Sequence, residues 1–307
     1  MTIASIEALY RSVKNKKPLL ADYSSIDHNL FFTPEYLTQL YHTDCYELLN
    51  HKQRLRYNQI FAMRSIEQLM TLEARFISLV VGRSATHRVL CKNKELRYCM
   101  AEMVKEEEEH YLMFHKLNRR AAPSIYGDKE LYFARMSTLE KCALEIFARL
   151  PGVNVFLLWV LLILEEFSTY ISKETQKNSI GGGDFLEPNF VHAHREHLKD
   201  EARHVMICAN AISDILENST LFYRGMNAWI LKRFMHDYMT PKRGGLRVIK
   251  QLVKEFPELN SIEETLIGAV QSQKQDYVIW NAIESDKSMP VTNSLFQNFP
   301  EFLLTRS

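Results

Sequence analysis

Glycine and proline are scarce in this chain, with 10 and 9 among 307 residues. They cluster at a few places, and the long intervals between them carry apolar residues at spacings of three and four. That spacing predicts amphipathic helices, whereas the alternation typical of strands is hard to find. The sequence therefore favours an all-α fold and excludes a turn-rich β-protein.

The chain also lacks the features of secreted, membrane and nucleic-acid-binding proteins. Its five scattered cysteines form no Cys-x-x-Cys pair, which predicts reduced thiols and a cytoplasmic location. No charged segment followed by an apolar run begins the chain, and the most apolar stretch, 153–164, is shorter than the roughly 20 residues that span a bilayer. The formal charge is only +1, from 38 basic and 37 acidic residues. Neither a membrane nor nucleic acid is expected as a partner.

The pattern predicts one helical domain over residues 1–307. The core of the site is expected over about 53–214, whereas the first 30 residues and the tail 280–307 are expected to be irregular. Helices are expected near 35–49, 53–82, 94–119, 128–148, 152–175, 188–214, 218–239, 244–255 and 261–279.

Two Glu-x-x-His pairs carry the chemical signal: Glu107 with His110, and Glu201 with His204. Residues three apart share a helical face, so each pair can offer a carboxylate oxygen and an imidazole nitrogen to one ion. One such pair alone is more often a solvated helix face. Two pairs, each following a helix with a glutamate among apolar residues, are typical of di-metal bundles. Their ligand types suit iron or manganese.

Further carboxylates are expected from the helices that precede the two pairs. Glu73 lies among apolar residues, and Glu165 and Glu166 follow the apolar run that ends at Leu164. Burial of a carboxylate in such surroundings is costly unless a cation compensates it. Adjacent helical residues diverge by about 100°, so only one of Glu165 and Glu166 can face the metals, and periodicity leaves the choice open.

His197 lies on the same helical stripe as Glu201 and His204, so the last helix can supply three ligands. Read together, these motifs resemble the p-aminobenzoate N-oxygenase family of ferritin-like di-iron enzymes, over roughly residues 50–215. The stretch 196–204 is similar to that family's third-ligand motif, with Pro188 at the expected distance before it. The resemblance favours Glu166 over Glu165 and implies seven metal ligands, namely Glu73, Glu107, His110, Glu166, His197, Glu201 and His204.

The resemblance also implies a ferritin-like bundle with two carboxylate-bridged iron ions. Such an enzyme uses dioxygen to oxidise a small-molecule amine to a hydroxylamine, nitroso or nitro product, in the biosynthesis of specialised metabolites. No Gly-x-Gly-x-x-Gly or Walker pattern occurs, so the electrons are expected from an external donor or reductase. A homodimer is a further expectation. The resemblance does not specify the substrate.

Two carboxylates next to the paired glutamates are expected to orient histidine ligands. A metal-bound histidine usually donates its second N–H to a carboxylate. In a pseudo-symmetric bundle Asp200 would accept from His110, and Glu106 would accept from His204. Solvent exposure is the alternative for Glu106, which lies in an acidic run.

Other functions remain open from the residues alone. One alternative is another ferritin-like di-iron protein, such as a C–H hydroxylase, a desaturase or a metal-binding relative. A radical generator would need a tyrosine near the metals, and Tyr111 and Tyr170 keep that alternative open. A helical interaction scaffold would bind no metal.

Overall fold

The computed structural model describes residues 4–15, 19, 22–84, 86–135, 138, 142, 145–146, 149–150, 152, 154–180, 186–239, 243–273 and 276–305. These residues form helices and no strand, with one isolated bridge between Phe31 and Leu186. The predicted all-α class is confirmed. The helices are α1 (Ile6–Lys14), α2 (His51–Thr71), α3 (Ser78–Ser84), α4 (Lys94–Ala121), α5 (Pro123–Tyr126), α6 (Asn154–Ile180), α7 (Pro188–Glu217), α8 (Leu221–Tyr238), α9 (Arg243–Glu255), α10 (Glu263–Ser272), α11 (Tyr277–Ile283) and α12 (Pro290–Asn298).

Four long helical rods form the core of the bundle. The first is α2, which continues through a π-helical segment (Leu72–Ile77) into α3; the others are α4, α6 and α7. Helix α6 packs along α7, α7 packs on α4, α4 packs on α2, and α3 packs on α6, so the rods close a ring. Side-chain caps begin three of them: Asn50 caps α2, Asn93 caps α4 and Glu187 caps α7.

Two apolar clusters occupy the ring, and a polar layer separates them. Along α4 the layer lies between Met103, which belongs to one cluster, and Met113, which belongs to the other. Along α7 it lies between Ala193 and Val205, in the opposite order, as expected for antiparallel helices. The buried polar residues of the layer on these two helices are Glu106, Glu107, His110, His194, Glu196, His197, Asp200, Glu201, Arg203 and His204.

Helix α6 is the most apolar element of the chain. Its segment Val155–Asn178 is long and apolar enough to cross a membrane, but 83% of its most apolar stretch is buried inside the protein. Neighbouring helices cover it on several sides. Among the described residues it is the single helix with this property, and it behaves as a core helix.

Both ends of the chain are more helical than the sequence analysis expected. Ser5 caps α1 in the N-terminal region, and the tail contains α11 and α12. Pro290 begins α12 as the first helical residue, where its missing N–H costs nothing. Apolar residues at positions 291, 295, 296, 299 and 302 then bury against the core at helical spacing.

Two predicted helices differ in the structure. Residues 35–48 form three short 3-10 helices, and the hydroxyls of Thr38 and Thr43 each donate to the backbone carbonyl three residues earlier. Within the predicted helix 128–148, residues 128–135 are not helical, whereas the other described positions, 138, 142 and 145–146, are helical. There, the successive backbone N–H groups of residues 132–134 donate to the buried carboxylate of Glu67 on α2, at 2.7–2.9 Å. Most of 136–148 lies outside the described residues.

Candidate metal centre

Four of the predicted ligands meet in the polar layer. One ligand atom from each of Glu107, His110, Glu201 and His204 lies within 4.8 Å of the others, and all four side chains are buried. Glu107 Oε1 is 2.6 Å from His204 Nδ1, and Glu107 Oε2 is 3.2 Å from His110 Nδ1. Glu201 Oε1 is 3.3 Å from His204 Nδ1. The two helices thus bring their Glu-x-x-His pairs face to face.

The second nitrogen of each paired histidine meets a carboxylate from the opposite helix. His204 Nε2 lies 2.7 Å from Glu106 Oε2, and His110 Nε2 lies 3.4 Å from Asp200 Oδ2. Because a carboxylate only accepts hydrogen bonds, His204 Nε2 carries a hydrogen that Glu106 accepts, and Asp200 lies in the corresponding position beside His110 Nε2. Nδ1 of both histidines then points toward the clustered glutamates. These are the two pairs named in the sequence analysis, and Glu106 is buried rather than solvated.

Arg203 connects the two carboxylates that orient the histidines. Its Nη2 lies 2.7 Å from Glu106 Oε2 and 2.8 Å from Asp200 Oδ1. The side chain is only 8% exposed, so the guanidinium compensates charge that would otherwise be buried without a partner. Burial alone would raise the pKa of Glu106, but its bonds to His204 and Arg203 lower it. Sequence reasoning missed this residue, although its position between Glu201 and His204 was a signal.

His197 also lies at the cluster. Its Nε2 is 3.1 Å from Glu201 Oε1, and its ring packs 4.8 Å from that of His110. On the other side, Ser172 Oγ of α6 lies 3.4 Å from His197 Nδ1 and 3.0 Å from His194 Nδ1. Burial and the neighbouring His197 lower the pKa of His194 to about 3, so His194 is neutral at physiological pH.

Of the two adjacent glutamates on α6, the structure brings Glu165 to the cluster, not Glu166. Glu165 Oε2 lies 3.9 Å from His204 Nδ1, and Ser168, one turn later, donates to Glu201 Oε2 at 3.0 Å. Both oxygens of Glu166 instead accept backbone N–H groups of Val291 and Thr292 in α12. The sequence analysis expected Glu166 to face the cluster. In the structure α6 is rotated by one residue, about 100°, from that expectation, and Glu165 faces the cluster instead.

Three further residues from the sequence analysis are Glu73 and the tyrosines Tyr111 and Tyr170. Glu73 belongs to the π-helical segment Leu72–Ile77, but its side chain lies outside the described residues. Segments of π-helix are frequent at functional sites. The two tyrosines considered for a radical make ring contacts elsewhere: Tyr111 stacks on His115 and Tyr170 on Phe167.

Protons balance the buried charges of the cluster. Burial opposes the charged form of His110, but bonds to Asp200 and Glu107 raise its pKa to about 10. Burial likewise opposes the charged form of His204, but the carboxylates of Glu107 and Glu106 raise its pKa well above its usual value. Burial and the neighbouring Glu201 and Glu107 carboxylates raise the pKa of Glu165 well above its usual value. A bound cation would displace these protons.

The donor atoms of the cluster fit metal ions. Glu107 Oε1, Glu165 Oε1, Glu201 Oε1 and His204 Nδ1 are buried without hydrogen bonds of good geometry among the described residues. Such atoms are costly to bury, and coordination to a cation would satisfy them. A mixed carboxylate and imidazole set suits iron.

Comparison with known proteins decides between the di-metal classes. Residues 14–269 of the 307 match the family described as P-aminobenzoate N-oxygenase AurF. The chain belongs to this family. AurF-family proteins are ferritin-like, di-iron arylamine N-oxygenases, so this chain is an oxidoreductase that acts on an amine. The match does not favour the alternative di-iron functions. No curated protein matches the chain.

Proposed function

We propose that the polar layer holds two iron ions. The observation that carries the proposal is a buried, close-packed group of carboxylates and imidazoles in a chain of the AurF family, in which Glu107 Oε1, Glu201 Oε1 and His204 Nδ1 have no hydrogen bond of good geometry among the described residues. Glu165 takes the place first given to Glu166, and Glu73 stays in the set on the resemblance alone. The proposed ligands are Glu73, Glu107, His110, Glu165, His197, Glu201 and His204.

The bound irons would supply the redox chemistry that dioxygen needs to react with an amine. The protein's own residues hold and orient the site. Glu106 and Asp200 lie at Nε2 of His204 and His110 and can hold a hydrogen there, so that Nδ1 of each ring can bind a cation once its own proton is displaced. Arg203 keeps both of these carboxylates ionised and in place. The apolar clusters on either side of the layer exclude water.

We propose that the substrate is a small-molecule amine whose nitrogen is oxidised, and the family description favours an aromatic amine. Conversion of an amine to a hydroxylamine consumes one dioxygen, two electrons and two protons, and releases one water. The sequence contains no nucleotide-binding glycine motif, which supports an external electron donor. The free thiols of all five cysteines support a cytoplasmic location.

A homodimer is a further part of the proposal. Helix α8 exposes Phe222 and Trp229, which are 82% and 70% accessible and seven residues apart on one helical face. Large apolar side chains exposed together often mark protein contacts. Light scattering on the purified chain measures the mass directly.

The function is tested in two steps. Anaerobic loading with ferrous ion should give two irons per chain, measured by metal analysis after gel filtration. The loaded, reduced protein is then mixed with isotopically labelled dioxygen and a panel of aromatic and aliphatic amines, and mass spectrometry follows the products. We expect labelled oxygen on the amine nitrogen. Iron binding without any N-oxygenated product would contradict the choice of substrate class, whereas a folded protein with one iron or none would contradict the metal site.

A further inference from the structure

Glu166 is adjacent to Glu165 in sequence but lies on another face of α6, against the C-terminal segment, residues 276–305. Its Oε1 accepts the backbone N–H of Val291 at 2.8 Å, and its Oε2 accepts that of Thr292 at 2.7 Å. Both donors belong to the first turn of α12, where N–H groups have no acceptor within the helix. The positive end of the helix dipole strengthens a bond to a carboxylate there.

A second contact of the same segment lies on the same face of α6. Trp159 precedes Glu166 by seven residues, which is two helical turns. Its indole ring is stacked between Phe296 and Phe302, each with its ring centroid 5.1 Å away. The C-terminal segment therefore holds α6 at two points along one line, one apolar and one charged.

The rotation of α6 about its axis links this hold to the metal centre. Glu165 projects about 100° away from Glu166, so the rotation that docks Glu166 on α12 is the rotation that directs Glu165 into the cluster. Glu165 has few contacts of its own: its carboxyl interacts with Glu201, its Oε2 lies 3.9 Å from His204 Nδ1, and its Oε1 has no hydrogen bond of good geometry among the described residues. Its position depends on the helix that carries it.

We propose that Glu166 is a positioning residue for the metal centre. Its bond to the first turn of α12 fixes the rotation of α6 and so directs Glu165 toward the clustered ligands. The proposal rests on the proposed ligand role of Glu165. Residues after 269, including α12, lie beyond the part of the chain that matches the family, so this support comes from outside the matched region.

The test compares Glu166→Ala and Glu166→Gln with a control, Asp276→Ala. Asp276 also binds the first turn of a helix in the C-terminal segment, through the N–H groups of Val278 and Ile279, but it makes this bond within the segment rather than with α6. Three quantities are measured: the thermal midpoint, the ferrous affinity in an anaerobic competition titration, and the position of the Glu165 carboxylate in a crystal structure of each metal-free variant.

All three variants should lower the thermal midpoint, because each removes a bond at a helix N-terminus. Only the Glu166 variants should change the metal site. Glu166→Ala should lower the ferrous affinity about tenfold or more, as loss of outer support for a ligand commonly does. Glu166→Gln keeps one carbonyl acceptor and should lose severalfold. Asp276→Ala should bind iron as the wild type does.

A Glu166→Ala protein with wild-type ferrous affinity and Glu165 in its original position would overturn the proposal. If that variant does not fold, Glu166→Gln decides the question by the same two measurements. A wild-type protein that binds no iron would contradict the proposed function instead, and the crystal structures would still show whether Glu165 moves when Glu166 loses its partner.

Discussion

Replacement of Glu106 by glutamine should weaken iron binding without unfolding the protein. Glu106 Oε2 lies 2.7 Å from His204 Nε2, at the length of a charge-assisted hydrogen bond, and 2.7 Å from Arg203 Nη2. The side chain is buried, so water cannot replace the lost bonds. Hydrogen bonds to charged groups contribute about 1.5–3 kcal/mol, which corresponds to a loss of roughly 10-fold to 150-fold in the affinity of the ion bound by His204.

The assay is an anaerobic titration of the apoprotein with ferrous ion against a chromophoric chelator. Glu108→Gln is the matched control, since Glu108 is on the same helix and exposed. Asp200→Asn should have the smaller effect on its own histidine, because Asp200 Oδ2 is 3.4 Å from His110 Nε2. Equal ferrous affinities for Glu106→Gln and Glu108→Gln would refute the reasoning that Glu106 supports the site.

Three further predictions concern the site and its surroundings. Glu165→Ala should lower the iron content of the loaded protein, measured by metal analysis, and a full content of two irons would exclude it as a ligand. Iron binding should release protons and strengthen as pH rises from about 6 to 8, because the raised pKa values of His110 and His204 keep both rings protonated in this range. A titration in a pH-indicator dye measures the released protons, and an iron affinity that does not change with pH would contradict the prediction. Glu67→Ala should destabilise the fold by on the order of 3 kcal/mol in urea unfolding, since three backbone N–H groups and the Tyr126 hydroxyl lose their acceptor, while the ferrous affinity stays at the wild-type value.

Helical periodicity was enough to predict that the two Glu-x-x-His pairs meet at the centre. Glu107 and His110 share one face of α4, and Glu201 and His204 share one face of α7, so two long helices in antiparallel contact bring the pairs together. The pairing depends only on spacing within each helix. This part of the site could therefore be read before any tertiary contact was known.

The choice between Glu165 and Glu166 could not be made in this way. Both follow the same apolar run, and both are buried in the structure, at 2% and 4% exposure. What separates them is a partner for Glu166 more than a hundred residues away, in a tail that was expected to be irregular. Local pattern carries no information about such a contact. The segment 128–135 was misread for a similar reason, because its backbone is held by Glu67 from a distant helix.

The π-helical segment Leu72–Ile77 acts as a one-residue insertion in a rod that would otherwise be a continuous α-helix from His51 to Ser84. Each π-helical turn holds about one residue more than an α-helical turn, so the faces of α2 and α3 are out of phase by roughly 100°. The spacing of three and four residues that marks the apolar face of α2 therefore does not continue onto the apolar face of α3. Deletion of a single residue within this segment should restore a continuous α-helix. The part of the rod on one side of the deletion, including the face that carries position 73, would then turn by roughly 100° relative to the rest of the bundle.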